Sequence, residues 1–304
     1  MNHYPSNVKE KLNSIILSMA EHHWLFSKNP GHDFTRQHLG KLSFYDTMRL
    51  IISMGKGSTN DEIMDYFDLD PDLIPSQSAF CQRRRQISLS AFEYLFSEFS
   101  SSFPSTTDKF KDHCILACDG CHVVYATNSD IIEDYNKPRL IDYKGYNHMH
   151  LNGFVDVISK AFLDVVIQPG QQPDEREALH SMLDHFTPDD PQKYIITADR
   201  GYESYDLLFH CELKNLGYVF RVKSPSSPKS ILSYYASELP DDLEEFDVTI
   251  KRFFTDKATN IMKSQSDVYR YINPSKNTPH FYELLRKKHS HLYFLQFRVV
   301  KIKT

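Results

Sequence analysis

An α/β fold behind a helical N-terminal third is predicted, and three features of the sequence predict it. Apolar residues recur at helical spacing from Val8 to about Phe103, short β-type runs begin after Pro104, and those runs then alternate with helix-patterned segments. At 304 residues, 40% hydrophobic and 25% charged, the chain can bury one large core or, better suited to this texture, two or three smaller ones. No apolar run approaches the roughly 18 to 20 residues that cross a bilayer. The stretch from Met1 to Lys11 is too polar for a signal-peptide core. No membrane partner and a cytoplasmic location are therefore expected.

The helical third comes first. Leu12, Ile15, Ile16 and Met19 mark one apolar stripe, and Phe92, Leu95, Phe96 and Phe99 another. Thr59-Asn60-Asp61-Glu62 has the form of a capping box, with Thr59 at the helix start and Glu62 reaching back, and predicts a short helix to about Phe67. Pro71 and Pro75 break it, and Ser76 can cap a second helix through Ile87. On that helix Phe80 and Ile87 lie one heptad apart on the inner face, while Gln82, Arg83, Arg85 and Gln86 point largely elsewhere. Two short helices around a turn with an Arg/Gln surface suit a major groove, and they equally suit a solvated helix face.

After Pro104 the expected strands are Cys114 to Cys118, Cys121 to Ala126, Leu151 to Ile158 and Ala161 to Ile167. A helix from Glu175 to Phe186, a strand from Tyr194 to Ala198, a helix from Glu203 to Leu216 and a strand from Tyr218 to Val222 follow. Strands first, then helix, strand, helix, strand, is the order of a ribonuclease-H-like α/β domain. From Ser224 a Ser/Pro-rich loop leads into mixed strands, among them Phe246 to Phe254 and Leu292 to Ile302. The implied domains are 1–105, helical; 110–223, the first part of the α/β domain; and 224–304, a β-rich insertion that is incomplete, since no closing helix follows the last strand.

Composition narrows the function classes. Five cysteines, an odd number and thinly spread, do not form a disulfide framework. Cys118 and Cys121 make a C-x-x-C, but no second Cys/His pair at zinc-site spacing follows. The 15 histidines are scattered, and pairs such as His22-His23 and His148-x-His150 suit surface or strand positions, so no histidine metal site is expected. The net charge of −5 does not advertise a nucleic-acid binder, so any DNA contact must come from local basic surfaces.

Two aspartates carry the chemistry. Asp119 is expected directly after the strand Cys114 to Cys118, and Asp199 directly after Tyr194 to Ala198. If those strands are neighbours, both carboxylates emerge at one sheet edge and can share a hard divalent cation, Mg²⁺ or Mn²⁺. A two-metal phosphodiester site starts this way, its ions about 3.5 to 4 Å apart. Asp-Gly and Asp-Arg-Gly are also ordinary turns, and spacing alone leaves both readings open.

The surrounding words go further. Ala117-Cys118-Asp119-Gly120, Lys144-Gly145-Tyr146-Asn147 with His150-Leu151-Asn152, Leu163-Asp164-Val165-Val166-Ile167-Gln168-Pro169-Gly170 and Ala198-Asp199-Arg200-Gly201-Tyr202-Glu203-Ser204 resemble the insertion-sequence DDE transposases, in the group founded on insertion sequence four. The resemblance extends to Ser78-Ala79-Phe80 and Gln82-Arg83-Arg84, similar to that group's DNA-binding segment, and so spans nearly the whole chain.

The resemblance implies an N-terminal helical DNA-binding domain, then a ribonuclease-H-like catalytic domain in which Asp119 and Asp199 match the first two catalytic, metal-binding carboxylates. It also implies double-stranded DNA as partner, both transposon ends and target, Mg²⁺ or Mn²⁺ as cofactor, and by analogy a homodimer on DNA. Gln82, Arg83, Arg84 and Arg85 are the expected DNA-binding residues of the helical part; Lys144 and Asn147, in the loop before a strand, and Arg200 could contact phosphate. Arg200 and Tyr202 otherwise serve to pack or orient the site.

The group's third carboxylate lies in a Tyr-x-x-Arg-x-x-x-Glu pattern on a later helix. After Asp199 the only Tyr-x-x-Arg is Tyr218 to Arg221, and the position four further on is Pro225. The chain is therefore expected to be C-terminally truncated and to cleave DNA weakly or not at all, with Glu203 and Glu212 the local acids considered as substitutes. The alternative is a non-enzymatic DNA-binding remnant or inhibitor of transposition. An aspartyl phosphohydrolase using Asp119 is disfavoured, because position 121, where an acid is needed, is Cys.

Overall fold

The computed structural model describes residues 4–35, 42–102, 109–137, 144–275 and 277–303. The expected change of texture at Phe103 and Pro104 lies outside the described residues. The chain divides into two compact units, Met1–Pro104 and Ser105–Thr304.

The first unit is helical: α1 (Tyr4–Glu21), α2 (Phe44–Ser53), α3 (Thr59–Tyr66), α4 (Gln77–Gln86) and α5 (Leu89–Ser101). Ile15, Ile16 and Met19 of α1 pack with Met48 of α2 and with Ala91 and Leu95 of α5. A second small core joins Leu50, Ile63 and Phe80, so α2, α3 and α4 share one apolar centre. Ser76 caps α4 as the sequence suggests, accepting the Ala79 N–H. The cap of α3 sits one residue earlier than expected. Ser58 and Asp61 form the capping box there, and Glu62 instead accepts the Gly55 and Gly57 N–H groups at 2.9 and 2.7 Å. Two boxes overlap in Ser58-Thr59-Asn60-Asp61-Glu62, and with Glu62 taken by the two glycine N–H groups, the box of Ser58 and Asp61 is the one that forms.

The second unit begins with β1 (Cys114–Tyr125), β2 (Tyr135–Asn136), β3 (Tyr146–Asp156) and β4 (Phe162–Pro169). It continues through α6 (Glu175–His185), β5 (Tyr194–Ala198), α7 (Tyr205–Leu213) and β6 (Gly217–Phe220). These strands make one sheet in the order β2-β3-β1-β5-β6, with β4 also paired to β3. β1, β3 and β4 are antiparallel neighbours; β5 and β6 add in parallel on the other side of β1. Parallel neighbours need crossovers, and α7 supplies one between β5 and β6. Leu179, Met182 and Leu183 of α6 and Leu207 and Cys211 of α7 bury against Leu116, Phe154 and Ile196 of the sheet.

β1 corrects the expectation of two runs broken by an Asp-Gly turn. It is one strand of 12 residues, because β3 pairs with it from Leu116 to Tyr125 without interruption and holds Asp119 and Gly120 in the ladder. Alternation along it places Cys118 inside and Cys121, an odd number of residues on, on the other face. The C-x-x-C is thus neither a disulfide nor a shared metal site.

Beyond Phe220 come β7 (Phe246–Thr255), α8 (Asn260–Ser264), β8 (Tyr269–Tyr271), α9 (Pro279–Lys287) and β9 (Leu292–Lys301), with a second sheet in the order β8-β7-β9. α9 is an addition to the mixed strands expected there. It lies against α7, where Phe209 packs with Phe281 and with Phe254 of β7. The buried Asp206 carboxylate on α7 accepts the His280 and Phe281 N–H groups at 3.0 and 3.2 Å, which satisfies two first-turn donors of α9.

Candidate active site

The geometry rests on the register of β1 and β5. Cys118 lies opposite Ala198 in the parallel ladder, and both are buried. The next residue on each path is an aspartate. Asp119, still within β1, and Asp199, the first residue past β5, are both exposed, on strands spaced about 4.8 Å apart. Each carboxylate accepts a local backbone N–H: Gly120 to Asp119 Oδ1 at 2.9 Å, and Gly201 to Asp199 Oδ1 at 2.6 Å.

A third carboxylate stands at the same edge, one that sequence reasoning missed. Glu175 opens α6, and a Cβ placed on Gly201 would lie 2.7 Å from its Oε2 and 3.1 Å from Asp199 Oδ1. A Cβ on Gly120 would lie 3.0 Å from its Oε1 and would collide with the His150 ring. Gly201 therefore leaves the space in which Asp199 and Glu175 approach, and Gly120 leaves the space that Glu175 shares with His150. In the sequence Glu175 reads as an ordinary first-turn acid favoured by the helix dipole. Its only signal is its place on the helix between the two aspartate-bearing strands.

Behind Glu175 lies His150, 3% exposed, with Nε2 3.3 Å from Glu175 Oε1. Neither ring nitrogen has a hydrogen-bond partner of good geometry. His150 pairs across the ladder with His122, their ring centroids 4.8 Å apart. Burial, together with the neighbouring His148 and His150, holds His122 below the ordinary imidazole range.

On the core side, Tyr202 is fully buried beside Cys118. Burial pushes the Cys118 thiol up to about 12 and the Tyr202 phenol above its usual range, so neither serves as a proton carrier near neutral pH. That leaves Tyr202 a packing role.

The other acids considered as substitutes are occupied. Glu203 is 6% exposed; its Oε1 accepts the Ser230 hydroxyl at 2.7 Å and the Ile231 N–H at 2.6 Å, and its Oε2 accepts the Lys223 N–H at 3.0 Å. Glu212 accepts the Tyr218 and Tyr293 hydroxyls. Both hold structure rather than face the aspartates.

Asn147 departs from its expected loop. It lies inside β3, fully buried, its amide bonded to Asn128 N at 2.7 Å and Asn128 O at 2.9 Å, and so is withdrawn from any phosphate. Lys144, just before β3, and Arg200, just after Asp199, are exposed. In the helical unit Gln82, Arg84 and Arg85 are exposed on α4, whereas Arg83 is half-buried, 5.2 Å from the Phe34 ring centroid and bonded to Gln86 at 3.1 Å.

The model for the transposase DDE domain matches residues 110–291, well over half of the chain. The chain belongs to this family. No curated protein matches it. Domains of this family generally use divalent metal ions, and membership implies transposition activity and a DNA substrate. The carboxylate oxygens of Asp119, Asp199 and Glu175 are the hard donors that Mg²⁺ and Mn²⁺ prefer, so the residues fit such an ion. They are open rather than closed around one point: among the described residues, the three carboxylates do not bring their oxygens within 4.8 Å of one another. No helix among the described residues is long and apolar enough to cross a membrane.

Proposed function

We propose that this chain is a DNA transposase of the insertion-sequence-four group, whose metal-dependent strand cleavage and strand transfer are centred on Asp119 and Asp199. The observation that carries the reading is the parallel register that sets two aspartates side by side where the pairing of β1 with β5 ends. The sheet order, three antiparallel strands followed by two parallel ones, supports a ribonuclease-H-like domain.

Asp119, Asp199 and Glu175 would hold Mg²⁺ or Mn²⁺. A divalent ion there supplies activation of the attacking water or 3′-hydroxyl and stabilisation of the leaving oxygen. The chain's own residues set the geometry: Gly120 and Gly201 keep the carboxylates from being pushed apart, and His150 props Glu175 from behind. Arg200 flanks the edge as a phosphate contact, whereas the register of β1 with β3, Asp119 opposite Gly153, sets Lys144 beyond the far end of β3, roughly 30 Å along the strand, where it can meet only a more distant stretch of DNA. The α4 face with Gln82, Arg84 and Arg85 is the DNA-reading surface of a helical DNA-binding domain, with Arg83 bracing it. Two DNA ends must be joined, which favours a homodimer on DNA, working in the cytoplasm where the element's DNA lies.

A second reading, occupation of DNA ends without cutting, is favoured by one observation: the three acids at the edge do not close on one point. Incubating the chain with its element's end DNA separates the two. Mn²⁺-dependent nicking that disappears in Asp119→Asn supports the transposase; stable binding with no nicking in any divalent metal supports the second reading.

A further inference from the structure

Three histidines from three helices of the second unit converge on one another. His180 lies on α6, His210 on α7 and His280 in the first turn of α9, and each offers a ring nitrogen within 4.8 Å of the other two. The Nδ1 atoms of His180 and His210 are 2.9 Å apart. The rings stack, with centroids 3.9 Å apart for His210 and His280 and 4.3 Å for His180 and His280. The side chains of His180, His210 and His280 are 12%, 2% and 15% exposed, so the cluster is largely withdrawn from solvent.

Each ring also turns a nitrogen toward a carboxylate. His280 Nδ1 is 2.6 Å from Asp206 Oδ2, His210 Nε2 is 3.2 Å from Asp184 Oδ1, and His180 Nε2 is 3.6 Å from Asp206 Oδ2. Nδ1 of His180, Nδ1 of His210 and Nε2 of His280 are left over. Carboxylates behind imidazoles fix ring orientation and raise ligand basicity, the usual support of a histidine metal site.

We propose that His180, His210 and His280 form a transition-metal site, best suited to Zn²⁺, that clamps α9 onto α6 and α7. Imidazole nitrogens favour Zn²⁺ over the hard Mg²⁺ and Mn²⁺ that suit carboxylates, so this site and the Asp119–Asp199 edge select different ions. The fourth position falls to water, since both Asp206 oxygens are committed to the rings of His180 and His280 and to the first turn of α9. Zn–N bonds of about 2.0 Å require nitrogens about 3.3 Å apart with lone pairs that converge, so on binding the rings must turn out of the near-parallel stack in which His280 lies 11° from His210 and 12° from His180.

The test is titration of the EDTA-stripped, full 304-residue chain with Co²⁺, followed by its visible absorption, and then displacement by Zn²⁺. The intense visible bands of a low-coordinate nitrogen site should saturate at one equivalent of Co²⁺ and be lost on adding Zn²⁺ but not millimolar Mg²⁺, whereas Co²⁺ at the carboxylate edge adds only weak six-coordinate bands that Mg²⁺ removes. His180→Gln and His280→Gln should each weaken binding by at least about tenfold, and Asp119→Asn should leave it unchanged. Zn²⁺ should raise the melting temperature of the wild type and not of the double variant. In the wild type alone, Zn²⁺ should shield the three histidines from diethyl pyrocarbonate, so the test does not depend on the variants folding. Absence of a one-to-one site in the wild type, binding that survives both histidine variants, or binding abolished in Asp119→Asn would each overturn the proposal.

Discussion

Glu175 and Glu203 are half-exposed and buried glutamates that the sequence presents in similar settings, each in or near the first turn of a helix and each close in sequence to a glycine-bearing loop. Their partners assign them opposite work. Glu203 ties its own helix start to Lys223, Ser230 and Ile231, and Glu203→Ala strands those donors in a closed interior. A decrease of about 3 kcal/mol in unfolding free energy is expected, measured by urea denaturation, with no change in divalent-metal affinity of the folded fraction. Glu175→Gln should do the reverse, leaving stability within about 0.5 kcal/mol and reducing Mn²⁺-dependent nicking. Asn147→Ala belongs with Glu203: its amide is consumed by Asn128, so a cost of about 2 kcal/mol and an unaltered DNA affinity are expected. None of these roles is legible in the sequence. Glu203 finds its partners 20 to 28 residues away, and Glu175 reaches an edge built by two strands on either side of it in the chain. Asp119 and Asp199 are legible because an acid following an apolar strand is a local pattern.

At the scale of elements, what the sequence conceals is β1. Asp119-Gly120 has the composition of a turn, and only the ten-residue ladder with β3 keeps it extended. A strand has room for no side chain at Gly120: a Cβ there meets His150, whose burial leaves it nowhere to retreat, and Glu175. Gly120→Ala should therefore displace Glu175 and lower nicking by roughly a hundredfold, the scale of removing one preorganised group, while circular dichroism stays that of the wild type. Strand alternation gives an independent check. Iodoacetamide on the native chain should label Cys121 and spare Cys118, read by peptide mass spectrometry; fast labelling of Cys118 would show that β1 is broken where the sequence suggests a turn. By contrast β5 and α6 are legible almost to the residue, since an isolated apolar run and a 3.6-residue stripe carry their own boundaries. α9 carries local signals as well, Pro279 in its first turn and a stripe of Phe281, Leu284 and Leu285, but its nine residues lie between β-type runs whose pattern masks it.

For the whole molecule, the net charge of −5 places any DNA affinity in local patches. Arg84 and Arg85 on the helical unit, and Lys144 and Arg200 on the second, are exposed cations suited to phosphate. Removing any one of them should make the salt dependence of DNA binding, log K against log salt, shallower by about 0.9 for each phosphate that its charge neutralises. The same substitutions should leave the metal requirement untouched, because metal and DNA are held by different side chains. The site that joins them chemically is the pair of aspartates. The most direct measurement is the rate of Mn²⁺-dependent nicking of the element's end DNA by the wild-type chain and by Asp119→Asn and Asp199→Asn, at equal DNA occupancy. Nicking by the wild type, reduced roughly a hundredfold or more in each variant, is the expected result. Nicking that persists at the wild-type rate in either variant would contradict the assignment of the active site.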